Sequence, residues 1–157
     1  MSNEMSTRLR ILNRADARQL SAMLDMFGTA FDEVETYTHK KPSVTYLENL
    51  LSQNQFIAIA ALDGETVVGG LTAYELTKFE QERSEIYIYD LAVAKSHRRR
   101  GVATALIEEL RKVAAEKNAY VVFVQADQGD NAAIALYTKL GTREDVLHFD
   151  FPIAAAK

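Results

Sequence analysis

The segment from Ile86 to Leu106 most constrains the fold of this chain. It begins with an apolar, β-branched and aromatic run that ends at Val93, continues through a polar link, and reaches three arginines followed by Gly101. An amphipathic helical pattern comes next, so the order predicts a strand that leads through a turn into a helix. The first N–H groups of a helix have no intrahelical acceptor and lie at the positive end of its dipole. We therefore expect an anion such as phosphate at this turn; the alternative is a basic surface turn before an ordinary helix.

Hydrophobic periodicity on both sides of this segment predicts alternating strands and helices in one domain over residues 1–157. Strands are predicted at residues 8–13, 56–62, 67–76, 84–93, 120–126 and 146–153. Helices are predicted over 16–30 with a capping box of Asp16 and Gln19, after Ser43, after Gly101, and after a cap at Asp130 or Asn131. Asp63 and Gly64 indicate a hairpin turn. The nearly all-apolar run at 120–126 indicates a strand buried on both faces. Residues 31–37 are predicted to form an acidic connection.

Composition narrows the class of protein and of partner. The 157 residues contain no cysteine, so disulfides and thiolate metal sites are excluded. The N-terminus lacks the apolar core of a signal peptide, and we expect a cytoplasmic protein. The net charge is −4, although Lys95, His97 and three arginines cluster within six positions. A globally acidic chain with one basic cluster suits a small anionic ligand better than nucleic acid. The three histidines lack metal-ligand spacing, and we expect no metal.

Two motifs of the chain, an Arg-x-x-Gly-x-Ala turn at residues 98–103 and an Asn-to-Gly helical stretch at residues 131–141, lie well apart in the sequence. Together they resemble the two signatures of the GNAT superfamily of acyl-CoA-dependent N-acetyltransferases, at the distance expected for that superfamily. Arg98, Gly101 and Ala103 match the superfamily's Gln/Arg-x-x-Gly-x-Gly/Ala turn. The stretch Asn131–Gly141 resembles its second signature, in which an asparagine opens a helix and a tyrosine points at the CoA sulfur. The resemblance implies an α/β GNAT fold, a mixed and partly splayed β-sheet with helices on both faces, and acetyl-CoA in the gap between the fourth and fifth strands.

Longer stretches resemble the aminoglycoside 3-N-acetyltransferases of the gentamicin-resistance type. The matching words are Arg83–Val93, Val124–Asp127, Ala135–Gly141 and His148–Asp150, with Phe27-Gly28 and Thr36-Tyr37. Residues 29–35 and Gln128 depart from that family's pattern where the acceptor would bind, which concerns substrate range rather than reaction type. The resemblance implies acetyl transfer to the 3-amino group of the deoxystreptamine ring, by direct attack in a ternary complex.

The resemblance also assigns residues to the cofactor and to the chemistry. Tyr137 is expected to protonate the leaving thiolate, although a tyrosine packed on the core is the alternative. A backbone N–H near Leu91 to Val93 is expected to polarise the thioester carbonyl. The residues expected to bind acetyl-CoA are Leu91, Ala92, Val93, Arg98, Arg99, Arg100, Gly101, Val102, Ala103, Thr104, Asn131 and Tyr137.

A base must deprotonate the acceptor amine, and the candidates are Glu85, Asp90 and Asp127. We favour Asp90, because a carboxylate within an apolar strand is costly to bury without a purpose or a partner. Strict alternation places Asp90 on one face and the residues Glu85, Tyr87, Tyr89 and Leu91 on the other. A bulge, which the family often has in this strand, would reverse that parity locally.

A polycationic acceptor requires several carboxylates, and acidic residues fall in connections around the expected cleft. The residues expected to bind the acceptor are Asp32, Glu33, Glu35, Glu85, Asp90, Asp127 and Asp130. Polyamine or protein-amine acetyltransferases are the alternative with the same chemistry, and a non-catalytic acyl-CoA-binding module is the alternative without it. The resemblance implies a homodimer through residues 146–152, because an apolar edge strand needs cover.

Overall fold

The computed structural model describes residues 7–154. Within this range, residues up to Gln125 form one compact unit and residues from Ala126 onward form a second. No helix in the described part of the chain is long and apolar enough to cross a membrane.

The first unit is a five-stranded sheet with four helices, and the second contains one helix. Strands β1 to β5 span Arg8–Ile11, Phe56–Asp63, Thr66–Thr77, Ser84–Val93 and Ala119–Val124. Helices α1 to α5 span Ala17–Ala30, Val34–Thr38, Val44–Leu51, Val102–Glu116 and Asn131–Leu140. Single 3₁₀ turns precede α1 and α4. The strand order is β1-β2-β3-β4-β5, with every pair antiparallel except β4 and β5. This mixed α/β sheet confirms the predicted fold class.

Adjacent glycines in β3 show how the sheet is covered on both faces. A Cβ at Gly70 would lie 2.6 Å from the sulfur of Met23 in α1. A Cβ at Gly69 would lie 3.0 Å from Val102 Cγ1 in α4. Because neighbouring strand residues point to opposite faces, α1 and α4 pack on opposite sides of the sheet. Both helices approach the backbone closely only because these two positions lack side chains.

Two predicted turns and caps are confirmed, and one is wrong. Ser43 accepts a hydrogen bond from the N–H of Tyr46 (3.1 Å) at the start of α3. Asp63 pairs with Thr66 across the predicted hairpin, with Gly64 at φ +61°. The capping box of Asp16 and Gln19 is wrong. Asn13 is the N-cap instead, three residues earlier, and it forms a capping box with Asp16. This box begins the 3₁₀ turn that precedes α1.

Three further predictions are corrected by the structure. The acidic connection predicted at 31–37 is partly helical, because α2 begins at Val34 and continues to Thr38, and this helix packs against α1. Strand β5 is not buried on both faces: it pairs only with β4 among the described strands, and Tyr120 and Val121 are 50% and 38% exposed. The strand predicted at 146–153 is absent, because no described strand pairs with this segment. Its five large apolar side chains are 67–89% exposed.

Candidate active site

A β-bulge in β4 sets the geometry of the site. Thr72 of β3 pairs with Asp90, but the next residue, Ala73, pairs with Ile88, so Tyr89 is an extra residue without an opposite partner. Ile88, before the bulge, is buried but does not belong to the core cluster to which α1 and α3 contribute. Ala92, after the bulge, does belong to that cluster. The bulge therefore reverses the side-chain alternation and places Asp90 on the α1 face. The bulge is confirmed, and strict alternation through β4 is wrong.

Asp90 is a partly buried carboxylate that contacts hydroxyl groups. Thr72 Oγ1 donates a hydrogen bond to Asp90 Oδ2 (3.2 Å). Burial raises the pKa of Asp90, while hydrogen bonds from the hydroxyls of Thr72 and Tyr37 oppose that rise. Among residues 7–154, Asp90 forms no ion pair. A desolvated carboxylate without a cation favours a proton or an incoming ammonium group.

Tyr37 reaches Asp90 because α2 lies close against α1. A Cβ at Gly28 would lie 3.1 Å from Val34 Cα and 3.2 Å from Tyr37 Cβ, so glycine permits this approach. The Tyr37 ring then packs against Phe27 and Phe31. Burial raises the pKa of Tyr37 to about 12, and the negative charges of Asp90 and Glu33 add to the rise. The phenol therefore keeps its proton at neutral pH and donates to Asp90.

Strand β4 continues beyond its parallel partner. The pairing of β4 with β5 ends at Ile88 and Val124. From Asp90 to Val93, β4 pairs with β3 on one side, and no strand of the described chain pairs with its other side. This part of β4 includes Leu91, Ala92 and Val93, which were predicted to bind acetyl-CoA. The open backbone edge can bind a ligand that offers alternating amide groups.

The turn after β4 presents the N-terminus of α4. Gly101 precedes the helix in the left-handed region (φ +76°), and no atom lies within 4 Å of the position of a Cβ. The first hydrogen bond of the helix runs from the Ala105 N–H to the Gly101 carbonyl (3.0 Å). The N–H groups of Val102, Ala103 and Thr104 precede it and have no intrahelical acceptor. Their spacing and the helix dipole suit the oxygens of a phosphate group.

The three arginines of this turn have different environments. Arg98 donates from Nε to the Val93 carbonyl (3.0 Å) and from Nη2 to the Ala30 carbonyl (3.2 Å). Its guanidinium therefore links the end of β4 to the C-terminus of α1. Arg99 and Arg100 are exposed, and Arg99 has a positive φ of 63°. They are the arginines of the turn whose guanidinium groups are open to an anion.

His97 fixes the turn from the other side. Its Nε2 lies 2.8 Å from Asp63 Oδ2 at the β2–β3 hairpin, and its Nδ1 lies 2.7 Å from Ser96 Oγ. Within the described residues, no three potential metal ligands group together. His97 thus has a structural contact that its sequence position did not predict.

The predicted acceptor carboxylates of the first unit differ in their availability. Glu33, the N-cap of α2, and Glu35, in its first turn, are exposed. Asp32 lies 3.8 Å from Lys95 Nζ. Glu85 shares the face of Asp90. It accepts a hydrogen bond from Tyr120 Oη (3.0 Å) and lies 3.6 Å from Lys78 Nζ. Part of its charge is therefore already compensated.

In the second unit, the predicted residues surround the start of α5. Asp130 accepts a hydrogen bond from the Ala133 N–H (3.3 Å), which confirms the predicted cap, and Asn131 is the first helical residue. Asp127 is exposed. Burial raises the pKa of Tyr137, and the charge of Asp130 adds to the rise. Tyr137 therefore holds its proton at neutral pH.

The sequence does not indicate roles for Tyr37 and Thr72. Tyr37 lies in a matching word, Thr36-Tyr37, but nothing in its spacing showed that it would reach Asp90. Thr72 is opposite Asp90 only because the bulge sets the register. Both contacts depend on pairings between distant segments.

Comparisons with known proteins agree with this geometry. The profile of the acetyltransferase (GNAT) family matches residues 20–142. The crystal structure of an aminoglycoside acetyltransferase, HMB0005, from an uncultured soil metagenomic sample has 56% sequence identity and a TM-score of 0.93. The match covers 95% of this chain and 99% of that protein.

A second soil metagenomic aminoglycoside acetyltransferase, meta-AAC0020 in complex with sisomicin, is 31% identical, with a TM-score of 0.87. That match covers 94% of this chain and 97% of the other. The aminoglycoside acetyltransferase AAC(6')-Iy in complex with CoA is 14% identical, with a TM-score of 0.73, and shows the same fold. A search of curated proteins finds no match.

Proposed function

Since the chain belongs to the acetyltransferase (GNAT) family, we propose that it transfers the acetyl group of acetyl-CoA to an amine of an aminoglycoside. The family match includes parts of both units, and we treat residues 1–157 as one acetyltransferase domain. The aminoglycoside acceptor is supported by 56% identity to HMB0005 and by the sisomicin complex of meta-AAC0020. The proposed acceptor atom is the 3-amino group of the deoxystreptamine ring, as the matching sequence words imply.

The observation that carries this proposal is the environment of Asp90. A carboxylate that is partly buried, bonded by the Thr72 hydroxyl, and without an ion pair in the described chain is arranged for a cationic amine. Its raised pKa also makes it a better proton acceptor than an exposed aspartate. The Asp90 carboxylate takes a proton from the acceptor ammonium, and the neutral amine can then attack.

The turn and the β4 edge fit acetyl-CoA, which would supply the thioester. The N–H groups of Val102 to Thr104 would hold the pyrophosphate, with support from the exposed Arg99 and Arg100. The open space at Gly101 admits a phosphate group close to the backbone. Leu91 to Val93 would pair with the pantetheine arm through their backbone, and one of their N–H groups would polarise the carbonyl.

The acetyl group moves directly from sulfur to nitrogen. Asp90 takes one proton from the ammonium before the attack, and the C–N bond then forms as the C–S bond breaks. Tyr137 gives its proton to the departing sulfur, and the second proton that the nitrogen loses returns to the Tyr137 phenolate through solvent. The raised pKa of Tyr137 keeps the donated proton on the phenol until it is needed. The chain has no cysteine to form a thioester with the acetyl group, which favours a ternary complex.

The acidic residues other than Asp90 would attract the remaining ammonium groups of the acceptor. Glu33 and Glu35 are exposed and form no ion pair among the described residues, so their charges are available. Asp32 and Glu85 would add a weaker attraction, because Lys95 and Lys78 lie beside them. Asp127 and Asp130 are further exposed carboxylates that would attract the acceptor. The attraction should fall as ionic strength rises.

Thiol release with sisomicin, gentamicin and spermidine as separate acceptors tests the proposal. We expect rapid release with the two aminoglycosides and slow release with spermidine. Rapid turnover of spermidine alone would establish a polyamine acetyltransferase instead. Binding of CoA without amine-dependent release would establish a non-catalytic module. NMR of the acetylated product identifies the modified amine, and acetylation elsewhere than the 3-amino group would refute that position.

We also propose a homodimer formed through residues 146–152. This segment exposes Val146, Leu147, Phe149 and Phe151, and no strand in the described chain covers it. Exposed apolar area of this extent in one segment is typical of a protein interface. A second copy of the same chain is the partner that the sequence resemblance implies.

A further inference from the structure

A cluster of aromatic rings lies beside Asp90 on the α1 face of the sheet. Tyr89 contacts Tyr74 edge-on, with ring centroids 6.0 Å apart, and contacts Tyr87 at 5.4 Å. Tyr87 in turn stacks on Phe123 at 4.7 Å, with an interplanar angle of 9°. These rings come from three neighbouring strands, and β4 contributes two of them because residues two apart in a strand lie on the same face. The bulge brings Asp90 to that face as well.

Tyr89 is the exposed member of this cluster. It is 65% exposed although it contacts two other rings, whereas Tyr74 and Tyr87 are partly buried. The two ring contacts restrict its motion. A bulky side chain that is held in place in the free protein loses little conformational entropy when a ligand covers it. Tyr89 therefore offers an ordered aromatic surface next to the carboxylate of Asp90.

The charges around the cluster favour a cationic ligand. Asp90 follows Tyr89 in sequence, and Glu85 lies on the same face two residues before Tyr87. Among the described residues, the only cation paired with either carboxylate is Lys78, which lies 3.6 Å from Glu85. The face of a tyrosine ring attracts an ammonium group through its quadrupole. Ring and carboxylates thus attract the same class of ligand.

We infer that Tyr89 is a specificity-determining residue: its ring supports a saturated, amino-substituted ring of the acceptor while an amine of that ring reaches Asp90. This inference rests on the proposed function and names the residue that selects a ring-based amine over a linear polyamine. A rigid ring covers the tyrosine with many contacts at once. A linear polyamine covers less of it and loses more conformational freedom on binding.

Steady-state kinetics of Tyr89→Ala and Tyr89→Phe with sisomicin and spermidine test the inference. For Tyr89→Ala we expect a KM for sisomicin about 5- to 20-fold higher, the range expected for loss of a partly desolvated cation–π contact. The KM for acetyl-CoA and kcat should stay within about twofold, because the ring contacts neither the thioester nor the proton. Tyr89→Phe keeps the ring and should retain the original KM. The KM for spermidine should change little in both variants.

Two further variants keep the result interpretable. Phe79→Ala removes another fully exposed aromatic ring, in the β3–β4 loop, and should leave all constants unchanged. Tyr89→Leu keeps apolar bulk in case Tyr89→Ala does not fold, and should still raise the KM for sisomicin.

The outcomes separate the two proposals. An unchanged KM for sisomicin in Tyr89→Ala, or in Tyr89→Leu, would overturn the role of the ring. An equal rise of the KM for sisomicin in Tyr89→Phe would also overturn that role, because it would indicate a role of the hydroxyl. A fall in kcat with an unchanged KM would overturn it too, because it would indicate a role of the bulge. If the unsubstituted protein acetylates neither sisomicin nor gentamicin, the proposed function fails together with this inference. Turnover of sisomicin with an unaltered KM in the variants overturns only the inference.

Discussion

Asp90 is the residue on which the proposed chemistry depends, and its substitution gives the most direct prediction. Asp90→Asn keeps the shape and the hydrogen bond from Thr72 but cannot accept a proton. We expect kcat with sisomicin to fall by about 100-fold or more, the usual contribution of a general base, with little change in the KM for acetyl-CoA. Glu116→Gln, at an exposed carboxylate at the end of α4, is the matched control and should retain activity. Comparable turnover in both variants would exclude Asp90 as the base.

The hydroxyls around Asp90 affect the pH at which its carboxylate becomes protonated and can no longer act as the base. Because burial raises the pKa of Asp90, activity should fall at a pH above that of an ordinary aspartate as the solution is acidified. The hydrogen bond from Tyr37 opposes the rise, so Tyr37→Phe should move this acid limb to higher pH. Thr72→Val removes the second hydrogen bond and should move it in the same direction. Profiles of kcat/KM against pH measure both shifts, and unaltered acid limbs would contradict the assignment.

The same raised pKa predicts a cost in stability. The folded protein favours the protonated form of Asp90. The stability that protonated Asp90 contributes is complete below the unfolded pKa of about 3.8 and is lost as the pH rises through the folded pKa. At pH 7 the ionised carboxylate is destabilising. Asp90→Asn should therefore raise Tm at pH 7 by about 1–3 °C, and this difference should narrow as the pH falls toward 4. Thermal unfolding at several pH values checks the sign; a lower Tm for Asp90→Asn at pH 7 would contradict it.

At the scale of elements, the turn between β4 and α4 combines a left-handed backbone conformation with the proposed CoA-binding site. Gly101→Glu places a side chain at φ +76° and a negative charge at a helix N-terminus, so we expect CoA binding to weaken by about 100-fold or more. Gly64→Glu is a matched control, because Gly64 has φ +61° in the β2–β3 hairpin and equal space around it. Both variants should lose about 1–2 kcal/mol of stability. Calorimetric titration with CoA should distinguish them, and equal CoA affinities would refute the site.

Elements also show which local patterns predict structure. Helix α3 begins where Ser43 can cap it, and α4 begins after Gly101, because caps and left-handed glycines act within a few residues. The capping box before α1 was displaced, since Asn13 and Asp16 form one of the same type three residues earlier. Helix α2 was missed because five residues carry too little periodicity to indicate a helix.

At the scale of the molecule, the exposed segment at 146–153 predicts the state of assembly. We expect light scattering after size-exclusion chromatography to give the mass of a dimer. Phe149→Asp and Phe151→Asp together should give a monomer, because both rings are exposed in the single chain and their loss removes only an interface. Phe79→Asp, at another exposed ring, should remain dimeric. A monomeric unsubstituted protein would overturn the homodimer.

The sequence by itself determined the fold class, the order of the elements up to α5 except the short helix α2, and the glycine turn before α4. These features depend on periodicity, caps and a glycine, which act between residues close in the chain. It also indicated Asp90 as a candidate, because a carboxylate inside an apolar strand is costly without a role. Only the tertiary structure decided the face on which Asp90 lies, since one extra residue in β4 reverses every side chain after it. Tyr37 and Thr72 became its partners, and Tyr89 its exposed neighbour, through contacts that no local pattern encodes.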